Sequence, residues 1–180
     1  MNIWANTVMT QKGLALQAKL IEGTTLEITR AVTGTGYATP GLLTQQTEVL
    51  GIKQELSFRP VSYPEEGKCA IAMNLNNDDL TAGYMATQVG VYAMDPDEGE
   101  ILYFIAQSPN ADKGVEVPSA SESPGYAAEW TFYVQYGQAD EVSVTVNPEG
   151  TVSREEMEQF IGEEFVTITT AEIDAAIAEE

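Results

Sequence analysis

The chain has 180 residues, with 28 Asp and Glu against 8 Lys and Arg, no histidine and one cysteine. Without imidazole there is no Ser-His-Asp or Cys-His nucleophile pair and no histidine metal ligand. Without a second cysteine there is no intrachain disulfide, and a formal charge of -20 opposes nucleic acid and anionic membrane surfaces as partners.

This length fits one domain with a small appendage, or two small domains, and an apolar fraction of 43% supports a real core. No stretch approaches the ~20 apolar residues that span a bilayer, so no membrane insertion is expected. The first six residues lack the basic start and apolar run of a signal peptide, so the expectation is a chain made in the cytoplasm or released with an assembly without classical secretion.

In chain order, Thr10 caps a predicted helix over residues 11–22, stopped by Gly23. Leu14, Ala18 and Ile21 share a face, and Leu16 and Leu20 widen it, so the helix is expected to be covered on more than one side. Residues 26–32 read as a strand with Leu26, Ile28 and Arg30 on one face. Gly34, Gly36, Pro40 and Gly41 form a break; Gly34-x-Gly36 lacks the rest of a phosphate-binding fingerprint. A short helix over residues 42–50 is expected, with Leu42, Leu43, Val49 and Leu50 facing inward.

The middle of the chain reads as strands. Ile52, Gln54, Leu56 and Phe58 alternate up to Pro60, and Cys69, Ile71, Met73 and Leu75 mark one face of the next strand. Cys69 reads as a small buried hydrophobe. Residues 88–94 and 101–106 are predicted to form a hairpin through Asp95-Pro96-Asp97-Glu98-Gly99-Glu100. Residues 109–125, rich in Ser, Pro, Gly and Ala, read as a loop outside the core. Trp130, Phe132, Val134 and Tyr136 alternate clearly, and Val142, Val144 and Val146 do so again before Asn147-Pro148-Glu149-Gly150. Two capping boxes, Ser153 with Glu156 and Thr169 with Glu172, begin short acidic helices. The expected division is a mixed body, residues 1–150, and an acidic helical segment, residues 151–180. The expected fold is α+β: a mostly antiparallel β body with the N-terminal helix packed on it and short C-terminal helices.

No pair among the 28 acids is distinguished by spacing or by an apolar setting that would raise one pKa, so no enzymatic role and no cofactor is read. The four carboxylates of residues 95–100 read as a solvated hairpin tip, with a cation site as the alternative; the pattern does not match the twelve-residue EF-hand loop. Tyr84, Tyr92, Tyr103, Phe132 and Tyr133 are candidates for a sugar-binding face, but alternating strand aromatics are usually core. Candidate interface residues are Trp4 and Trp130, with Met157, Phe160, Ile161, Ile173 and Ile177 from the C-terminal stripes.

Certain runs carry a family likeness. They are Thr10-x-x-Gly13-x-x-Leu16-x-x-x-Leu20, Leu26-x-Ile28-x-Arg30 with Gly34 and Gly36, Glu55-Leu56-Ser57-Phe58, and Cys69-Ala70-Ile71. The most specific is Gln88-Val89-Gly90-Val91-Tyr92-Ala93-Met94-Asp95-Pro96-Asp97-Glu98-Gly99-Glu100-Ile101-Leu102-Tyr103, followed later by Val142-x-Val144-x-Val146-Asn147-Pro148-Glu149-Gly150. Over roughly residues 1 to 160 the chain resembles the N-terminal, baseplate-attachment domain of phage tail-collar fibre proteins. Gln88 departs from that family, which commonly has an acidic residue there. The resemblance implies a non-catalytic virion component of a phage or prophage-like tail, attaching fibre to baseplate. It implies baseplate or other tail or fibre proteins as partners, a homo-oligomer, often a trimer, and a place in the virion tail after synthesis in the bacterial cytoplasm. The alternative is a carbohydrate- or peptide-binding module.

Overall fold

A computed structural model describes residues 3–4, 6–20, 25–65, 68–135 and 142–144. In chain order these contain β1 (Asn6–Met9), α1 (Gln11–Leu20), β2 (Leu26–Gly34), a 3₁₀ turn (Pro40–Gln45), β3 (Ile52–Phe58), β4 (Ser62–Glu65) and β5 (Lys68–Asn76). There follow β6 (Tyr84–Ala86), β7 (Gln88–Asp95), β8 (Gly99–Gln107), β9 (Val115–Val117), β10 (Ala127–Gln135) and β11 (Val142–Val144). The expected C-terminal helices and the proposed segment 151–180 lie outside the described residues.

The fold is α+β: a mostly antiparallel, strongly curled sheet, in effect a half-barrel, with α1 packed on it. Its strands run in the order β1-β8-β7-β2-β3-β5-β10. β11 adds to β2 in parallel, β4 pairs β5, and β6 with β9 forms a separate two-stranded ribbon. The sheet turns a corner at β3, which pairs β2 through residues 52–56 and then β5 through Ser57 and Phe58.

Two β-bulges decide which side chains face inward. In β7–β8, Val91 pairs Phe104 and Tyr92 pairs Leu102, leaving Tyr103 as the extra residue. Consecutive strand residues normally point to opposite faces. Here the bulge lets both Tyr103 and Phe104 join the inner core, while Leu102 and Ile105 face a second, outer cluster. In β2–β7, Ile28 pairs Ala93 and Arg30 pairs Tyr92, so Thr29 is the extra residue. The phase shift puts Ala31 inside after Leu26 and Ile28. It also corrects the expectation for Arg30, which turns outward, stacks 4.2 Å over the Tyr92 ring and donates to Glu100 at 2.9 Å.

The β7–β8 bulge also seats the helix. The Tyr103 carbonyl accepts a hydrogen bond from the Thr10 amide at 3.1 Å, and the Thr10 hydroxyl donates to the Leu102 carbonyl. Thr10 Oγ1 in turn accepts from the Gly13 amide at 2.9 Å, which is the expected helix cap. Gly13 is required by contact: a Cβ there would lie 2.0 Å from the Tyr103 oxygen. The buried face of α1 is consequently Gly13, Leu16 and Leu20, and Leu14 is 56% exposed, so the expected Leu14–Ala18 inward face is corrected. The helix rotates to bring its glycine, its thinnest point, against the sheet. Each fully buried leucine contributes about 1.5–3 kcal/mol of burial.

The expected helix over residues 42–50 is reduced to the 3₁₀ turn. Leu43 and Val49 are buried in the outer cluster, whereas Leu42 and Leu50 are exposed. Side-chain amides hold this segment where helical backbone bonds do not. Buried Gln88 accepts from the Leu50 amide at 2.9 Å and donates to Gln46 and Gln107 at 3.0 and 2.7 Å. Gln107 exchanges two bonds with the Ala38 backbone at 2.8 Å each. Residues 109–125 are also more than an outer loop. β9 puts Val117 in the inner core, and the Asn77 amide donates to the carbonyls of Pro118, Ser119 and Ser123 at 2.9–3.1 Å.

Candidate functional site

The hairpin tip resolves into ion pairs made within the chain. Asp95 accepts from the amides of Asp97 and Glu98 at 2.8 and 3.0 Å, and Gly99 takes φ +80 to return the strand. Lys19 at the end of α1 donates to Asp95 and Asp97 at 2.7 Å each, and Lys12 donates to Glu98 at 2.6 Å. Burial pushes the Asp95 carboxyl up, but the bonds from Lys19 and the two amides prevail and hold it below its ordinary value. The same carboxylates, Asp95 first, raise the Lys19 ammonium. Among the described residues no group of three or more Cys, Asp or Glu could hold a metal ion. The tip therefore works as a strap between α1 and the hairpin.

The aromatic candidates do not make one face. The Tyr103 hydroxyl donates to Gln17 from inside the core, and burial raises its pKa. Tyr92 is buried in the outer cluster, where its hydroxyl accepts from the Val49 amide at 3.0 Å. Tyr84 bonds Thr33 at 2.7 Å and donates to Gln54 at 2.8 Å. Gly34 and Gly36 serve close packing under Leu50, where a Cβ would meet its atoms at 2.2–2.4 Å. Cys69 is wholly buried, and burial pushes its thiol up to about 11.

Phe132 and Tyr133 do share a site. A cleft of about 820 Å³ is lined by Thr7, Val8 and Met9 of β1, Leu14 and Gln17 of α1, Phe104 of β8, and Phe132, Tyr133 and Val134 of β10, with Pro64 and Lys68 at its wall. β1 and β10 are the two ends of the strand order. The cleft is thus the seam that the half-barrel leaves open. Phe104 and Phe132 bridge it with ring centroids 5.3 Å apart. Tyr133 stands at the rim, 70% exposed. None of the eleven lining residues is a carboxylate, in a chain where acids outnumber bases by 28 to 8. Such an apolar recess with a few polar groups suits the binding of a side chain or a short peptide segment.

Of the candidate interface residues, the structure brings Trp4 and Trp130 together, edge to face at 5.3 Å and 88°. Trp4 is buried and belongs to the inner core; Trp130 is half-buried against the same cluster. This pair ties the residues before β1 to β10. Met157, Phe160, Ile161, Ile173 and Ile177 lie outside the described residues. Sequence reasoning missed Thr7, Val8, Met9, Gln17, Pro64, Lys68 and Phe104, because the cleft joins strands far apart in the chain. One signal was present: the apolar face of α1 is wider than the Leu16–Leu20 stripe that the sheet covers, and its Leu14 edges the cleft.

No helix among the described residues is long and apolar enough to cross a membrane. Comparison with family models, with curated proteins and with solved structures gives no match to this chain.

Proposed function

We propose that this chain is a structural, non-catalytic component of a phage or prophage-like tail that docks fibre to baseplate. The observation that carries the docking role is the apolar, carboxylate-free cleft at the open seam of an otherwise strongly acidic body. The tail setting rests on the resemblance of residues 88–103 to the attachment-domain hairpin. A docking element must keep its shape under load. The Lys12, Lys19 and Arg30 ion pairs tie this hairpin to α1 and β2, and the buried Gln88–Gln107 bond joins its two strands, which supports such a role. The chain acts as a homo-oligomer, with other tail proteins as partners and the virion tail as its place of work.

The test is a protein inventory of purified particles from the source, with electron microscopy of particles made without this gene. Particles that contain the chain, and lose their fibres without it, are the expected result. A tail inventory that lacks it ends the proposal. Phe132 and Tyr133 in the cleft favour, as a second reading, a carbohydrate- or peptide-binding module outside a tail. Glycan-array binding abolished by Tyr133→Ala is the outcome that selects it.

A further inference from the structure

We infer that the cleft receives an extended segment of another protein as an added β-strand between β1 and β10, and that this segment is apolar at its centre and flanked by lysine or arginine. The inference rests on the docking reading above and supplies its mode.

The lining shows that the cleft meets strand edges. Successive residues of a strand point to opposite faces, so a recess on one face touches every second residue. This cleft touches Thr7, Val8 and Met9 in succession on β1, and Phe132, Tyr133 and Val134 in succession on β10. It therefore runs along the backbone of both. Among the described residues each of these strands pairs on one side only, β1 with β8 and β10 with β5. An unpaired edge offers a row of N–H and C=O groups to an incoming strand, and side-chain pockets beside it supply selectivity. The four residues of β1 correspond to roughly 14 Å of strand, at about 3.4 Å per residue.

Charge selects the occupant. The lining is apolar apart from Thr7, Gln17 and Lys68, which suits an apolar insert. The chain as a whole carries -20, so its long-range field draws in cationic flanks and repels acidic ones. A second copy carries the same net charge of -20 and is repelled by the first. The homo-oligomer proposed above is accordingly assigned to other surfaces.

The test uses the full chain and three fluorescent synthetic peptides with a centre of alternating valine and threonine. One has two lysines at each end, one has two glutamates at each end, and one is the lysine peptide with a central proline. Anisotropy titration is expected to show the lysine peptide binding about tenfold more tightly than the glutamate peptide at low salt, with the gap closing as salt rises. The proline peptide, unable to complete the ladder, is expected to lose binding. Leu14→Gln, which changes no charge at an exposed position, is expected to weaken the lysine peptide about tenfold while leaving thermal unfolding unchanged. Equal binding of the lysine and proline peptides, or no effect of Leu14→Gln, overturns the inserted strand. Equal binding of lysine and glutamate flanks overturns the basic partner. A concentration-dependent dimer abolished by Leu14→Gln overturns it in favour of a second copy. None of these results bears on whether tail particles contain the chain, so the two proposals fail separately.

Discussion

At the scale of single residues, the contact between Gly13 and the Tyr103 carbonyl fixes where the helix sits. Gly13→Ala is expected to destabilise the protein by about 1–3 kcal/mol, because backbone lies where the new methyl would go. Urea unfolding measures it. Asp95 sets a pH dependence. Its carboxyl is held below the ordinary 3.8, so the stability it contributes is complete above that value and is lost as the pH falls through the lowered one. Unfolding midpoints between about pH 6 and about pH 2 should therefore decline toward acid, and Asp95→Asn should flatten that decline. Cys69, with its thiol pushed up to about 11 by burial, should resist a thiol-specific disulfide reagent at neutral pH until denaturant exposes it. Reaction in the native state at the rate of the unfolded chain would contradict the burial.

The element scale turns on the two faces of α1. Leu16→Ala should cost about 2–5 kcal/mol, because Leu16 is wholly buried against the sheet. Leu14→Ala should stay within about 0.5 kcal/mol, because Leu14 edges the open cleft. Comparison of the two variants by thermal unfolding separates the face that holds the helix from the face that borders the cleft. Both leucines are legible as apolar stripes in the sequence. Their ranking is not, since it depends on Gly13 finding the bulged carbonyl of a strand far along the chain. The bulges in β2 and β8 are hidden for a similar reason. Alternation in the sequence shows two faces, but which residue a ladder skips is settled by its partner strand.

For the whole molecule, the order of the sheet makes folding a matter of distant encounters. Asn6 bonds the Ser108 carbonyl 102 positions away, and β11 returns to β2 to run parallel to it. Loop closure on that scale must precede the contacts that reward it, so refolding is expected in milliseconds to seconds or slower. Stopped-flow tryptophan fluorescence is the suitable probe, because the Trp4–Trp130 contact forms only when the N-terminus meets β10. A submillisecond return of the native signal would contradict this. The net charge acts at the same scale, since it biases every approach to the carboxylate-free cleft.

The sequence by itself determined what depends on neighbours along the chain. It set the cap at Thr10, the hairpin of residues 88–106 with its turn, the alternation of β5 and β10, and the burial of Cys69. These follow from side-chain period and turn chemistry, which act over a few residues. The tertiary structure alone decided the side of the helix that is buried, the inward turn of both Tyr103 and Phe104, and the use of buried glutamines to hold residues 38–50. It also decided the cleft. A recess between the two end strands of a curled sheet has no local signature, because its walls approach each other only when the sheet curls.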